Sequence, residues 1–228
     1  EKMMKKKMKY GLLLLLLVVT TGCTTYLKDS DELIKVNPDI FGDVYSIPKE
    51  SPSLRNLEEF SSILDACGKN KEYGLAMSIA LGERGESLDK ALELQRAYRT
   101  DLMKGFEWII REGAVQLNSI QYLYSEDKVL KTLMGTIAGV GMSAKILADD
   151  KPVIGLSRLH KDIKVSGRAT RPLVELGVNL GKALSDASLN FGGQGGGHDI
   201  AAGAMIPYEA KDKFLHLVDQ IVEEQMNN

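Results

Sequence analysis

The 228-residue chain carries a formal charge of −2 with 44% hydrophobic and 26% charged residues, the balance of a globular protein holding one large domain or two small ones. That balance gives no overall attraction to nucleic acid or to an acidic membrane, so binding to either needs a local patch. Two cysteines, Cys23 and Cys67, are too few for a disulfide framework or a structural zinc site, and three histidines, His160, His198 and His216, leave little for metal chemistry.

The first residues, KMMKKKMKYGLLLLLLVVTTGC, pass from lysines through the apolar run 12–19 to Cys23. The run is short for a membrane span and has the shape of a lipoprotein export signal, with Cys23 as the lipidated residue. Thr20 departs from that pattern, because a larger aliphatic residue is usual three places before the cysteine. The alternative is a leucine-rich start placed ahead of a remnant of a longer protein. Residues 24–58 are polar and interrupted by Pro38, Pro48 and Pro52, which reads as a linker with one extended piece, DVYSIP.

Helical periodicity follows. LRNLEEFSSILDACGK places Leu57, Phe60, Ile63 and Leu64 on one side and stops at Gly68; YGLAMSIALG forms a second short helix. Ser87 is the expected cap of a long helix with Leu88, Leu92, Gln95, Tyr98, Leu102, Phe106 and Ile109 in one stripe, ended by Gly113. Beyond it the character changes. AVQLNSIQYLYS, PVIGLSRL, IKVSGRAT and HDIAAGAMIP have the length and composition of strands. The intervening helices are a small-residue segment around residues 128–150, PLVELGVNLGKALSDASLNF, and a closing amphipathic helix with Phe214, Leu217, Val218 and Ile221 inward.

The order predicts an α/β protein: a helical N-terminal half, then a compact mixed-sheet α/β domain with helices on the sheet. The expected divisions are 1–39 for leader and linker, 40–113 for a helical connecting region, and 114–228 for the α/β domain.

Three motifs bear on chemistry. Gly135, Gly139 and Gly141 have loose dinucleotide-loop spacing, but no phosphate-loop lysine motif accompanies them, and close helix packing is the preferred reading. In KVSGRATRP, Ser166 and Arg168 project from one face of a strand and offer a hydroxyl and a planar guanidinium, groups suited to phosphate oxygens. Their surroundings are basic: Lys151, Arg158, Lys161, Lys164, Arg168, Arg171 and Lys182 are opposed only by Asp162 and Glu175. Finally, FGGQGGGHDIAAGAMIP gathers Gly192, Gly193, Gly195, Gly196 and Gly197 before His198. A flexible loop would show scattered polar residues; the tight apolar run that follows favours backbone amides and an imidazole brought close to an anion.

KVSGRA, GVNLGKALSDAS and GGQGGGHDIAAGAMIP together resemble the DHH-associated domain, the C-terminal module of DHH-family phosphoesterases, over about residues 115–226. LRNLEEFSSILDACGKNKEYGLAMSIALGER is similar to the region joining the two domains of archaeal RecJ-like single-strand exonucleases. The resemblance implies that Gly195, Gly196, Gly197 and His198 touch a substrate phosphate while Ser166 and Arg168 clamp an adjacent one. It implies single-stranded DNA or RNA as partner, a role in DNA repair and a cytoplasmic location, the alternative being a lipid anchor at Cys23 outside the cytoplasm. Manganese or magnesium would belong to a separate catalytic domain, because this sequence has no Asp-His-His motif and no histidine before His160. No catalytic or metal residue is therefore expected in this chain, which by itself would be inactive. Other expectations are a protein-interaction module of a replication or repair complex, or the substrate-binding subunit of an oligonucleotide or cyclic-dinucleotide phosphodiesterase.

Overall fold

The computed structural model describes residues 45–126 and 128–227. The export-signal reading and Cys23 lie outside the described residues, as does the start of DVYSIP. Among the described residues no helix is long and apolar enough to cross a membrane. The chain divides into two compact units, with the boundary between Thr100 and Asp101.

The N-terminal unit is helical: α1 (Pro52–Arg55), α2 (Leu57–Lys69), α3 (Tyr73–Ala80) and the first half of α4 (Glu86–Glu112). Asn56 starts α2 because its side-chain oxygen accepts hydrogen bonds from the Glu58 and Glu59 amides, at 2.8 and 3.3 Å. Leu54, Ile63, Cys67, Ile79, Leu88 and Ala91 form the core. The guanidinium of Arg84 grips the Glu50 carboxylate through two nitrogens, at 3.0 and 2.6 Å, which holds that carboxyl below its ordinary pKa. Leu57, read as inward, is 44% exposed, because the inward positions of α2 are Ile63, Ala66 and Cys67. α4 begins at Glu86, one residue before the expected cap, and ends where Gly113 takes φ +70°.

In the C-terminal unit the end of α4 buries Leu102, Phe106, Trp108 and Ile109. A six-stranded mixed sheet follows, made of β1 (Val115–Gln116), β2 (Gln121–Tyr124), β3 (Val153–Leu159), β4 (Asp162–Arg168), β5 (Gln194–Gly197) and β6 (Ala201–Pro207). The spatial order is β1-β2-β3-β4-β6-β5. Only β2 and β3 run parallel; α5 (Met134–Ser143) supplies the crossover that a parallel pair requires. AVQLNSIQYLYS, read as one strand, is a hairpin. Its turn is fixed by Asp219 of α8 (Lys211–Met226), whose carboxylate accepts from the Ser119 and Ile120 amides at 2.8 and 3.0 Å.

Asp219 also explains a difference in α8. Its inward positions are Phe214, Leu215, Val218, Asp219 and Val222, while Leu217 and Ile221 are only half-buried. Hydropathy cannot place a buried carboxylate that caps backbone amides elsewhere in the fold. The segment read as one helix after Pro172 is two, α6 (Arg171–Glu175) and α7 (Leu180–Leu189). Gly177 breaks it with φ +102°, and Asn179 then caps α7 by accepting from the Lys182 amide at 2.9 Å.

The glycine run is not a loop. Gln194–Gly197 is an extended edge strand antiparallel to β6. It can be built only of glycine on the side facing α7. A Cβ on Gly195 would lie 2.6 Å from the Leu184 carbonyl and 2.9 Å from Ser188 Oγ, and Gly197, at φ +142°, would press on Ala202.

Candidate functional site

The site is built by β-sheet register. Ser166 pairs with Gly203, and Gly203 with Gly196, so serine and two glycines form one row across β4, β6 and β5. Arg168 pairs with Ala201, and the His198 amide donates to the Ala201 carbonyl at 2.9 Å, so arginine, alanine and histidine form the next row. Strands lie about 4.8 Å apart, so Ser166 and Gly196 are roughly 10 Å from each other across the sheet. Two residues further along β4, Lys164 pairs with Met205 and Met205 with Gln194.

Side chains alternate along each strand, and the two faces of this sheet differ completely. Ile163, Val165 and Gly167 of β4, with Ala202, Ala204 and Ile206 of β6, are buried on one side; a Cβ on Gly167 would meet Leu184 and Leu180 of α7. Lys164, Ser166 and Arg168, with Ala201, Gly203 and Met205, are half-buried on the other. There α5 stands over β3, where Met134 occupies the space above Gly155, and a Cβ on Gly196 would meet nothing within 4 Å. The result is a trough with α5 as one wall and a floor of small residues.

Arg168 lies in that trough against α5. A Cβ on Gly135 would come within 2.6 Å of its Nη2, and one on Gly139 within 3.8 Å of its Cδ. Gly135 and Gly139 therefore make room for the arginine, while Gly141 meets Leu147 and Ile109 and serves helix packing. Sequence reading misses this link because the glycines and the arginine lie some thirty residues apart, on separate elements. Nη1 of Arg168 donates to the Gly167 carbonyl at 2.7 Å, and among the described residues no carboxylate lies within ion-pair distance. Burial pulls its pKa below the ordinary arginine value. A desolvated guanidinium without a counter-ion has donors left for an anion.

Not all the predicted groups converge. With His198 bonded to Ala201, the alternation of an antiparallel ladder turns the Gln194 and Gly196 amides toward β6 and the Gly195 and Gly197 amides out of the open edge. Consecutive glycine amides thus do not point at one spot. His198 is exposed at the turn beside α7, whose Leu180 amide bonds the Asp199 carbonyl at 3.0 Å. Within the basic segment, Lys164 and Arg168 share the trough, but Lys151 donates to the Leu117 carbonyl at 2.7 Å, and Arg158 stacks 4.3 Å over the Tyr208 ring. Among the described residues no group of three or more His, Cys, Asp and Glu side chains could hold a metal ion. These residues do not supply the carboxylate and imidazole set that a two-metal hydrolytic centre needs.

The C-terminal unit is thus an α/β module whose mixed sheet has α7 packed on one face of β4, β6 and β5. On the other face α5 stands over β3, beside a polar strip that stays low at Gly196. Residues 120–224 match the DHHA1 domain, and the C-terminal unit is a DHHA1 domain, a module associated with DHH-family phosphoesterases. The chain is 34% identical over 174 residues to the uncharacterized protein MJ0831 of Methanocaldococcus jannaschii, covering 76% of this chain and 37% of that protein. Its fold is similar to RecJ in complex with Mn2+ from Thermus thermophilus, with TM-score 0.56, 17% identity, and coverage of 73% of this chain and 24% of that one. It is similar also to CDC45 from Entamoeba histolytica, with TM-score 0.55, 9% identity, and coverage of 75% and 38%. The chain thus spans well under half the length of each of these proteins.

Proposed function

We propose that the C-terminal unit binds the phosphate backbone of single-stranded DNA or RNA and presents it to a DHH-type catalytic domain for manganese- or magnesium-dependent hydrolysis. The catalytic domain would be the rest of a longer protein or a separate chain, and its workplace the cytoplasm. The observation that carries this is Arg168: half-buried, laid on two glycines of α5, without a carboxylate partner among the described residues, and one register step from the Ser166 hydroxyl. Arginine's planar fork suits phosphate, and the trough gives it access. Ser166 supplies a second donor, His198 a third from the neighbouring row, and Gly196 and Gly203 keep the floor low enough for a backbone to settle.

The test is binding of a fluorescent single-stranded oligonucleotide, measured by anisotropy at low and raised salt. Arg168→Ala is expected to weaken binding by about 1.5–3 kcal/mol, the size of a charge-assisted hydrogen bond, and to flatten the salt dependence. Affinity unchanged in Arg168→Ala, with the melting temperature preserved, overturns the proposal.

A protein-docking role for the helical unit is the second reading. It is favoured by Tyr73, Met77 and Leu81, which follow one another at four-residue steps and are 66, 59 and 81% exposed. It would replace the first reading if the chain bound no oligonucleotide at any salt concentration.

A further inference from the structure

We infer that Lys164 is a further backbone contact, on the same strand as Ser166 and Arg168, and that the trough reads a run of successive phosphates, which makes its ligand an oligonucleotide strand and not a single nucleotide. This rests on the phosphate-binding role proposed above and adds to it a residue and a minimum ligand length. Lys164, Ser166 and Arg168 occupy alternate positions of β4, all on the open face and all half-buried. Alternate residues of a strand are about 6.7 Å apart. That is comparable to the separation of neighbouring phosphates along an extended polynucleotide, so side chains rooted at this repeat are placed to reach three phosphates in turn, with the Arg168 guanidinium turned toward α5.

The charge pattern sets the limits of the path. Lys164 has no ion pair among the described residues, so its ammonium is as free for an anion as the Arg168 guanidinium. The next residue on the same face is Asp162, whose carboxylate repels a fourth phosphate. The backbone must leave the sheet there. At that end lies a cleft of about 390 Å³, lined by Asp162, Gln194, Met205 and Pro207 among others. Its lining is mostly polar and includes the Gln194 amide and the Asp162 carboxylate beside Met205 and Pro207, groups suited to a base edge and, at the carboxylate, unsuited to a phosphate. Arg168 therefore starts the track and Lys164 ends it.

The experiment compares wild type, Lys164→Gln, Lys164→Arg and Arg168→Ala on a mononucleotide, a dinucleotide, a trinucleotide and a longer single strand. Lys164→Gln should bind the mononucleotide and dinucleotide like wild type and lose about tenfold on longer ligands. Its salt slope on the long strand should shrink by roughly 0.7, the value of one single-strand phosphate contact, and Lys164→Arg should restore both. Unchanged binding of Lys164→Gln to every ligand overturns the inference while leaving the Arg168 result intact. Equal loss on mononucleotide and trinucleotide also overturns it, because Lys164 would then share a phosphate with Arg168. Failure of wild type to bind any of the four removes the phosphate-binding proposal itself.

Discussion

The two faces of the β4–β6–β5 sheet are made from the same strands and obey opposite rules. On the face toward α7 every position is limited by what lies above it: Gly195 and Gly197 are glycines because helix and neighbouring strand leave no space, and Val165, Ala202 and Ala204 fill what remains. On the trough face Gly196 has open space above it, and Lys164, Ser166 and Arg168 carry polar groups of which the fold uses one, the Arg168 Nη1 bonded to the Gly167 carbonyl. Glycine richness thus has two causes within one four-residue strand. A glycine cluster therefore marks a binding surface only where the space it leaves stays empty.

Substitutions on the two faces should separate stability from binding. The largest effect is expected for Gly195→Ala, whose new methyl would meet the Leu184 carbonyl, the Ala204 methyl and Ser188 Oγ within 3 Å. Such overpacking should cost about 3 kcal/mol, read as a lower midpoint in urea, and any loss of oligonucleotide binding should follow the loss of folded protein. Next comes Val165→Ala, at a site 1% exposed: losing two methyl groups and leaving a cavity should cost about 2 kcal/mol while the folded protein binds as before. Ser166→Ala, one residue on, should do the reverse. Its melting temperature should stay near wild type, and binding should fall by about 1 kcal/mol, close to fivefold. Should Val165→Ala and Ser166→Ala behave alike in both measurements, the distinction between the faces is lost.

Much of the fold is legible in the sequence because local rules govern it. The order of strands and helices after Gly113 follows from runs of β-branched residues and helical periodicity, and Ser166 with Arg168 on one strand face follows from a period of two. What escapes is set by partners distant in sequence. Asp219 is inward because two amides a hundred residues earlier need an acceptor, and Gly135 and Gly139 are small because Arg168 rests on them. The glycine run does not read as a strand, since glycine disfavours strands in general. Here the demand of α7 for a side-chain-free surface overrides that preference. Lys164 lies inside the stretch IKVSGRAT read as a strand, two residues before Ser166, so the same period of two puts it on that face; the sequence-based expectation counts it only as one charge in a basic stretch.

The chain's single tryptophan, Trp108, sits in the half of α4 that belongs to the C-terminal unit, 6% exposed and with its indole nitrogen unpartnered. Residues 45–100 contain no tryptophan, so ultraviolet emission excited at the indole band reports on one unit alone. Its colour will shift to longer wavelength when that unit opens to solvent. Far-ultraviolet dichroism, by contrast, records the helices of both. Any lag between the two signals during heating measures, without a label, how independently the two halves of the polypeptide melt.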